Sequence, residues 1–366
     1  MATTPLQQLN DHGQSVWVDY LSRRFIEDGE LAELVDAGVH GVTSNPTIFQ
    51  GAIAEGDAYD EQLREVLQSE SEPKEIFLAL AVRDIQAACD VLRPTFDAGE
   101  AGRVSLEVDP NLAHDTDGTT AEAKRLWDSV DRPNLFVKIP ATKEGLPAIE
   151  ESIASGIPIN VTLIFSLERH REVADAYVRG VKRFVDGGGD PTKIASVASF
   201  FVSRVDTETD KRLDEIGGHD ELKGKLAIAN AKLAYETYKD VFSGPEWEAL
   251  EAKGASKQSC LWASTSTKNP EYRDVLYVEE LVGPDTVDTM PRETIEAVQD
   301  HGEIRGNTIE EDVEGARKLF DDLKAAGIDY DDVVATLERE GVEKFAKSFR
   351  DLFSDVESKR DRLVAA

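Results

Sequence analysis

Within the run Asn134–Gly145 (Asn-Leu-Phe-Val-Lys-Ile-Pro-Ala-Thr-Lys-Glu-Gly), one ammonium, Lys138, sits in an otherwise apolar stretch that ends at a proline and a polar turn. Such a run is expected to be a buried strand feeding a helix. An amine held there must either pair with a carboxylate or give up its proton, because desolvation disfavours the charged form. A lysine tuned in this way is a nucleophile for carbonyl carbon, able to form a Schiff base. The competing reading is a structural ion pair, since those also bury lysines.

Schiff-base chemistry needs further groups. Dehydration of the carbinolamine requires one acid/base, the carbon–carbon bond step requires another, and polar groups must hold a polyhydroxy ketone. Asp19 and Glu107, carried on other apolar runs, supply two separate carboxylates, and Thr162 could hold a water between acid and intermediate. Either acid could instead serve only to neutralise Lys138. Asn45 and Asn160 both donate and accept hydrogen bonds, which suits sugar hydroxyls. Arg204 and Lys268 follow consecutive apolar runs and together offer a guanidinium fork and an ammonium for a phosphate.

These residues need a frame that brings them to one place. Apolar runs at Ser15–Leu21, Gly41–Pro46, Arg103–Asp109, Asn134–Pro140, Ile157–Phe165, Ile194–Val202, Ser259–Thr265 and Asp285–Pro291 are expected to be strands. Helical stretches are expected between them at 4–13, 23–36, 59–69, 73–96, 119–130, 145–155, 166–185, 207–216 and 222–242. The helix at 166–185 should turn its histidine and arginines outward. Three more, at 309–325, 330–339 and 342–363, should close the chain. Eight strands alternating with helices predict a single α/β domain over residues 1–366, a (β/α)8 TIM barrel with additional helices, including C-terminal ones. In such a barrel the active site lies at the C-terminal ends of the strands. Asp19, Asn45, Glu107, Lys138, Thr162 and Ser199 all fall late in theirs.

Composition narrows the function classes. The 366 residues carry 41 Lys+Arg against 72 Asp+Glu, a formal charge of −31, which disfavours nonspecific binding to nucleic acid or anionic membrane. An anionic substrate then needs a local basic site. Cys89 and Cys260 have no metal-binding spacing, and so few thiols fit a reducing compartment. No leader-like or membrane-spanning run is present, so a cytoplasmic protein is expected. Gly187–Gly189 precedes the sixth strand and is read as a turn at the far end of the barrel. No nucleotide motif and no metal motif occurs, so neither cofactor nor metal is expected. Trp17 and Trp262 are expected in the core or the pocket wall.

Gly41–Phe49 (Gly-Val-Thr-Ser-Asn-Pro-Thr-Ile-Phe) and Leu135–Gly145 resemble the two signatures of the transaldolase family. The segments around Glu107, Asn160–Thr162, Ser199–Arg204 and Lys268 are similar as well, and the length resembles the longer branch of the family. The resemblance implies a cofactor-free transfer of a dihydroxyacetone unit from sedoheptulose 7-phosphate to glyceraldehyde 3-phosphate, in the pentose phosphate pathway. It makes Lys138 the nucleophile, Asp19 the acid/base at the carbon–carbon bond, and Glu107 with Thr162 a water-mediated proton relay. Asn45, Asn160 and Ser199 would hold the dihydroxyacetone moiety, Arg204 and Lys268 the phosphate, and Thr43 is a further candidate. Departures from the family pattern, a lysine at 268 and Ser-Phe-Phe at 199–201, bear on phosphate binding. Sugar phosphates are the expected partners of a monomer or homodimer. A class I aldolase releasing dihydroxyacetone shares the lysine chemistry, and a noncatalytic sugar-phosphate-binding barrel is the alternative outside enzymes.

Overall fold

The computed structural model describes residues 3–54 and 56–365. Its eight strands are β1 (Gln14–Val18), β2 (Gly41–Val42), β3 (Arg103–Glu107), β4 (Leu135–Pro140), β5 (Ile159–Ile164), β6 (Ser196–Phe201), β7 (Ser259–Ala263) and β8 (Thr286–Met290). Each pairs in parallel with its sequence neighbours, and β8 pairs with β1, so the sheet closes as a barrel in chain order. Parallel neighbours demand long crossovers, and helices supply them.

Register explains which side chains enter the barrel. Glu107 lies opposite Lys138, and Lys138 opposite Asn160, so the three share the inner face. Trp17 lies opposite Gly41 on β2, and a Cβ added to that glycine would come within 2.4 Å of the indole. The glycine therefore makes room for a tryptophan that fills the interior below Asp19 and stacks near Phe136. Trp262 is also fully buried, packed edge-on to Phe200.

Several elements differ from the sequence-based expectation. The helix expected at 23–36 is two, Arg23–Glu27 and Glu30–Asp36, separated at Gly29, whose φ of +85° no helix accommodates. β2 is only two residues long. The polar run after it is already the approach to a helix at Pro46–Ala54, capped by Asn45, whose side-chain oxygen accepts from the Ile48 N–H at 3.0 Å. Short helices at Pro245–Glu251, Leu276–Glu280 and Arg292–His301 were not expected either. His170 is buried, 3.7 Å from the Cys260 sulfur and edge-on to Phe200. It faces the barrel because the apolar stripe of its helix is wider than the arginines alone suggest.

The two expected C-terminal helices are one, Tyr330–Ala365. Gly341 does not break it. Instead the glycine sits against β5, where an added Cβ would meet Leu163 Cδ2 at 3.1 Å, and this lets the helix press onto the barrel. The helix is held further by Thr47 donating to Ser348 (2.9 Å), by Phe77 against Phe349, and by Lys359, buried 3.1 Å from Asp60. Among the described residues no helix is long and apolar enough to cross a membrane.

Candidate active site

A cavity of about 250 Å³ opens at the C-terminal ends of the strands. Asp19, Thr43, Asn45, Lys138, Thr162, Ser199, Arg204 and Lys268 all line it, although they come from six different strands or the segments that follow them. Glu107 does not line the cavity. It lies just behind Lys138, with its Oε2 3.2 Å from Nζ. Asn160 does not line it either.

The Lys138 side chain is 6% exposed and that of Glu107 3%, so water screens the pair little. Nζ also donates to the Ser44 carbonyl at 3.2 Å, and the Phe345 ring lies 5.6 Å away. Burial raises the Glu107 carboxyl above the usual carboxylate range, against the pull of the Lys138 charge, while Asp19 adds to the rise. Glu107 sits close to the amine, but among the described residues neither of its oxygens makes a directed hydrogen bond and the buried Thr162 hydroxyl has no protein partner. Buried oxygens usually have partners, and these three fall beside the candidate nucleophile.

Local backbone geometry aims Thr162. The β5/β6 register shifts between Val161 and Ile164, and Leu163 has φ of +60°. A bulge of this kind re-aims the flanking side chain, and a left-handed leucine costs on the order of 1–3 kcal/mol. Ser264, at the end of β7 and also lining the cavity, has φ of +58°. Strain of this kind concentrates at functional sites.

Asp19 stands just beyond β1. Thr43 donates to its Oδ1 at 2.6 Å and lies 2.6 Å from the Thr289 hydroxyl, so Thr43 orients this carboxylate. Burial raises the Asp19 carboxyl, opposed by Lys138, the Thr43 hydrogen bond, Arg204 and Lys268 in that order. Asn45 uses its side-chain oxygen as the helix cap, which leaves the amide N–H groups for the cavity. Asn160 donates to the Ser105 hydroxyl at 3.0 Å and accepts from Ser199 at 2.7 Å. It positions Ser199, which lines the cavity and, having given its one hydroxyl hydrogen to Asn160, can still accept there.

At the rim Arg204 lies over the Phe201 ring at 5.0 Å, and Lys268 donates to Ser266 at 2.6 Å. Among the described residues no carboxylate lies within 4.0 Å of either cation. Burial lowers both below their ordinary values, and Arg204 lowers Lys268 further. Unpaired cations at a cavity mouth suit an anionic ligand group. Lys143, the other lysine of the strand–turn segment, is exposed and outside the cavity.

Residue-by-residue reading missed Phe201, Ser105, Thr289, Lys344 and Phe345. Ser105 and Phe201 were within reach, since each keeps the alternation that places Glu107 and Ser199 inward. Lys344 and Phe345 come from the C-terminal helix, and nothing local in sequence ties them to the barrel mouth.

The model of the transaldolase/fructose-6-phosphate aldolase family matches residues 16–356. The chain belongs to that family. It is 55% identical over 364 residues to a protein of Acidothermus cellulolyticus named transaldolase, covering 98% of both chains. It is 53% identical to the transaldolase of Saccharopolyspora erythraea, again with 98% of each covered, and 54% identical to that of Thermobifida fusca, with 96% and 97% covered. The barrel with its extra helices agrees with this membership.

Proposed function

We propose that the protein is a transaldolase acting through a Schiff base on Lys138. It moves a dihydroxyacetone unit from sedoheptulose 7-phosphate to glyceraldehyde 3-phosphate, giving erythrose 4-phosphate and fructose 6-phosphate. The observation that carries this reading is a buried lysine amine 3.2 Å from a buried carboxylate, in a cavity whose rim holds cations without carboxylate partners. The near full-length relatives named transaldolase support transfer over simple cleavage.

In this reading the Lys138 amine adds to the ketone carbon. Glu107, working through a water held against Thr162, protonates the departing hydroxyl, and water leaves as the imine forms. Asp19, held by Thr43, removes the proton of the hydroxyl next to the bond that breaks. The electron pair of that bond passes into the iminium, leaving an enamine on Lys138 and releasing an aldehyde. The enamine attacks the acceptor aldehyde, Asp19 returns its proton, and water frees the product ketose from Lys138. Burial raises both carboxyls, which makes each a better proton acceptor than an ordinary carboxylate. Asn45 and Ser199 hold the dihydroxyacetone hydroxyls with Asn160 behind Ser199, and Arg204 and Lys268 hold the phosphate. A cytoplasmic place in the pentose phosphate pathway, no cofactor and no metal complete the reading.

The family also includes fructose-6-phosphate aldolases. Erythrose 4-phosphate formation from sedoheptulose 7-phosphate should require added glyceraldehyde 3-phosphate. Acceptor-independent cleavage as the main activity would reject transfer in favour of the aldolase.

A further inference from the structure

The rim of the cavity holds a third cation. Lys344 lines it together with Arg204 and Lys268, yet it arrives on the C-terminal helix, 76 residues beyond Lys268 and from outside the eight-strand repeat. Its neighbour Phe345 is buried in the same cavity 5.6 Å from the Lys138 amine, so the helix is seated deep enough for Lys344 to reach the rim. The close approach at Gly341 and the Thr47–Ser348 hydrogen bond fix that seating on either side.

The surroundings of Lys344 are unusual for this chain. With 72 acidic residues against 41 basic ones, most surface cations find an acid; one turn further along the same helix Lys347 meets Asp351 at 2.5 Å. Among the described residues Lys344 has no carboxylate within 4.0 Å. The groups that act on it are of its own sign: the Arg204 charge is the largest influence holding its ammonium below the ordinary lysine range, followed by burial and then Lys268. Three like charges gathered at one cavity mouth repel one another, and a multiply charged anion placed between them relieves that repulsion.

We infer that Lys344 is a third ligand of the substrate phosphate, so that the C-terminal helix completes the phosphate site and selects phosphorylated sugars. This assignment rests on the transaldolase reading. Arg204 comes from the first turn of the helix Ser203–Ile216, Lys268 from the loop after β7 and Lys344 from the C-terminal helix, so three separate elements bring a cation to the same cavity. A point charge on a flexible stem suits this position, since it needs no fixed fork geometry.

The test compares Lys344→Gln, Lys344→Arg and the parent protein in three measurements: steady-state kinetics with fructose 6-phosphate as donor, the same with unphosphorylated fructose, and the rise of Tm on adding inorganic phosphate. Lys344→Gln should raise KM for fructose 6-phosphate about tenfold, equivalent to about 1.4 kcal/mol, with a much smaller change in kcat. It should lose far less on fructose and show a smaller phosphate-induced rise in Tm. Lys344→Arg should recover most of both. A Gln variant whose KM and phosphate response match the parent overturns the assignment, as does an equal loss on the phosphorylated and unphosphorylated sugars. A parent protein that neither turns over fructose 6-phosphate nor responds to phosphate overturns the transaldolase reading and this assignment with it.

Discussion

Arg23 and Lys138 are both almost wholly buried beside a buried carboxylate, Asp84 at 2.8 Å in the first case and Glu107 at 3.2 Å in the second. Their surroundings differ. Asp84 accepts from Arg23 Nε (2.9 Å) and Nη2 (2.8 Å) and from the Tyr59 hydroxyl (2.7 Å), while Arg23 also donates to Gln62 at 2.5 Å. The guanidinium lies 4.4 Å from the centre of the Tyr59 ring as well. That pair, set between helices, is satisfied on every side and has no freedom to do anything but hold them together. Among the described residues the barrel pair is left short of protein partners: Glu107 has no directed hydrogen bond, Thr162 beside the cavity has none, and Lys138 has one carbonyl. Incomplete satisfaction costs stability, and it leaves the amine and the carboxylate able to take a new partner.

Substitutions can break the comparison. The largest effect is expected from Lys138→Ala, which should abolish turnover while far-ultraviolet circular dichroism stays that of the parent. Retained turnover would make the barrel pair structural like the other. Glu107→Gln and Asp19→Asn come next, each lowering kcat by about 10²–10⁴-fold without comparable loss of fold, as expected when one positioned proton carrier is removed. Steady-state kinetics at saturating donor would show this, and an unchanged kcat would take either acid out of the mechanism. Arg23→Ala should do the reverse. Leaving Asp84 buried without its cation should cost about 3–5 kcal/mol in a denaturant titration, with kcat per folded molecule close to the parent's.

The smallest effect sharpens the contrast by way of an acid with no cation at all. Among the described residues Asp288 on β8 accepts only from Thr265 (2.7 Å), and burial pushes its carboxyl up to about 7 from an ordinary 3.8. Between those values the folded state holds a proton that the unfolded state has lost. The group therefore supports the fold at low pH, and that support is lost as pH rises from about 4 through 7. Asp288→Asn, which does not titrate, should raise Tm at pH 8 and make little difference at pH 4. An equal change at both would show that Asp288 does not titrate in this range.

Much of the frame was legible in the sequence because parallel barrel strands are buried on both faces and read as continuous apolar runs. The polar residues interrupting them late, Glu107, Lys138, Thr162 and Ser199, stood out for the same reason. β2 and its helix are harder: Asn45-Pro46 has the pattern of a strand end, although an Asn cap followed by Pro also begins a helix. The bulge at Leu163 leaves no mark in composition, since leucine is an ordinary strand residue and its positive φ is imposed by packing. Lys344 and Phe345 were beyond reach because their place depends on how a helix of 36 residues lies across the barrel mouth. Local pattern marks helical stretches at 330–339 and 342–363 but neither joins them across Gly341 nor fixes how they dock.

The central claim is that Lys138 is the group that bonds to substrate carbon. Incubation with fructose 6-phosphate and borohydride, followed by peptide mapping by mass spectrometry, tests it directly. The account predicts a reduced dihydroxyacetone or hexose phosphate adduct on Lys138 alone, with activity lost in proportion. An adduct on Lys143 or another lysine, or none under conditions where the enzyme turns over, would contradict it.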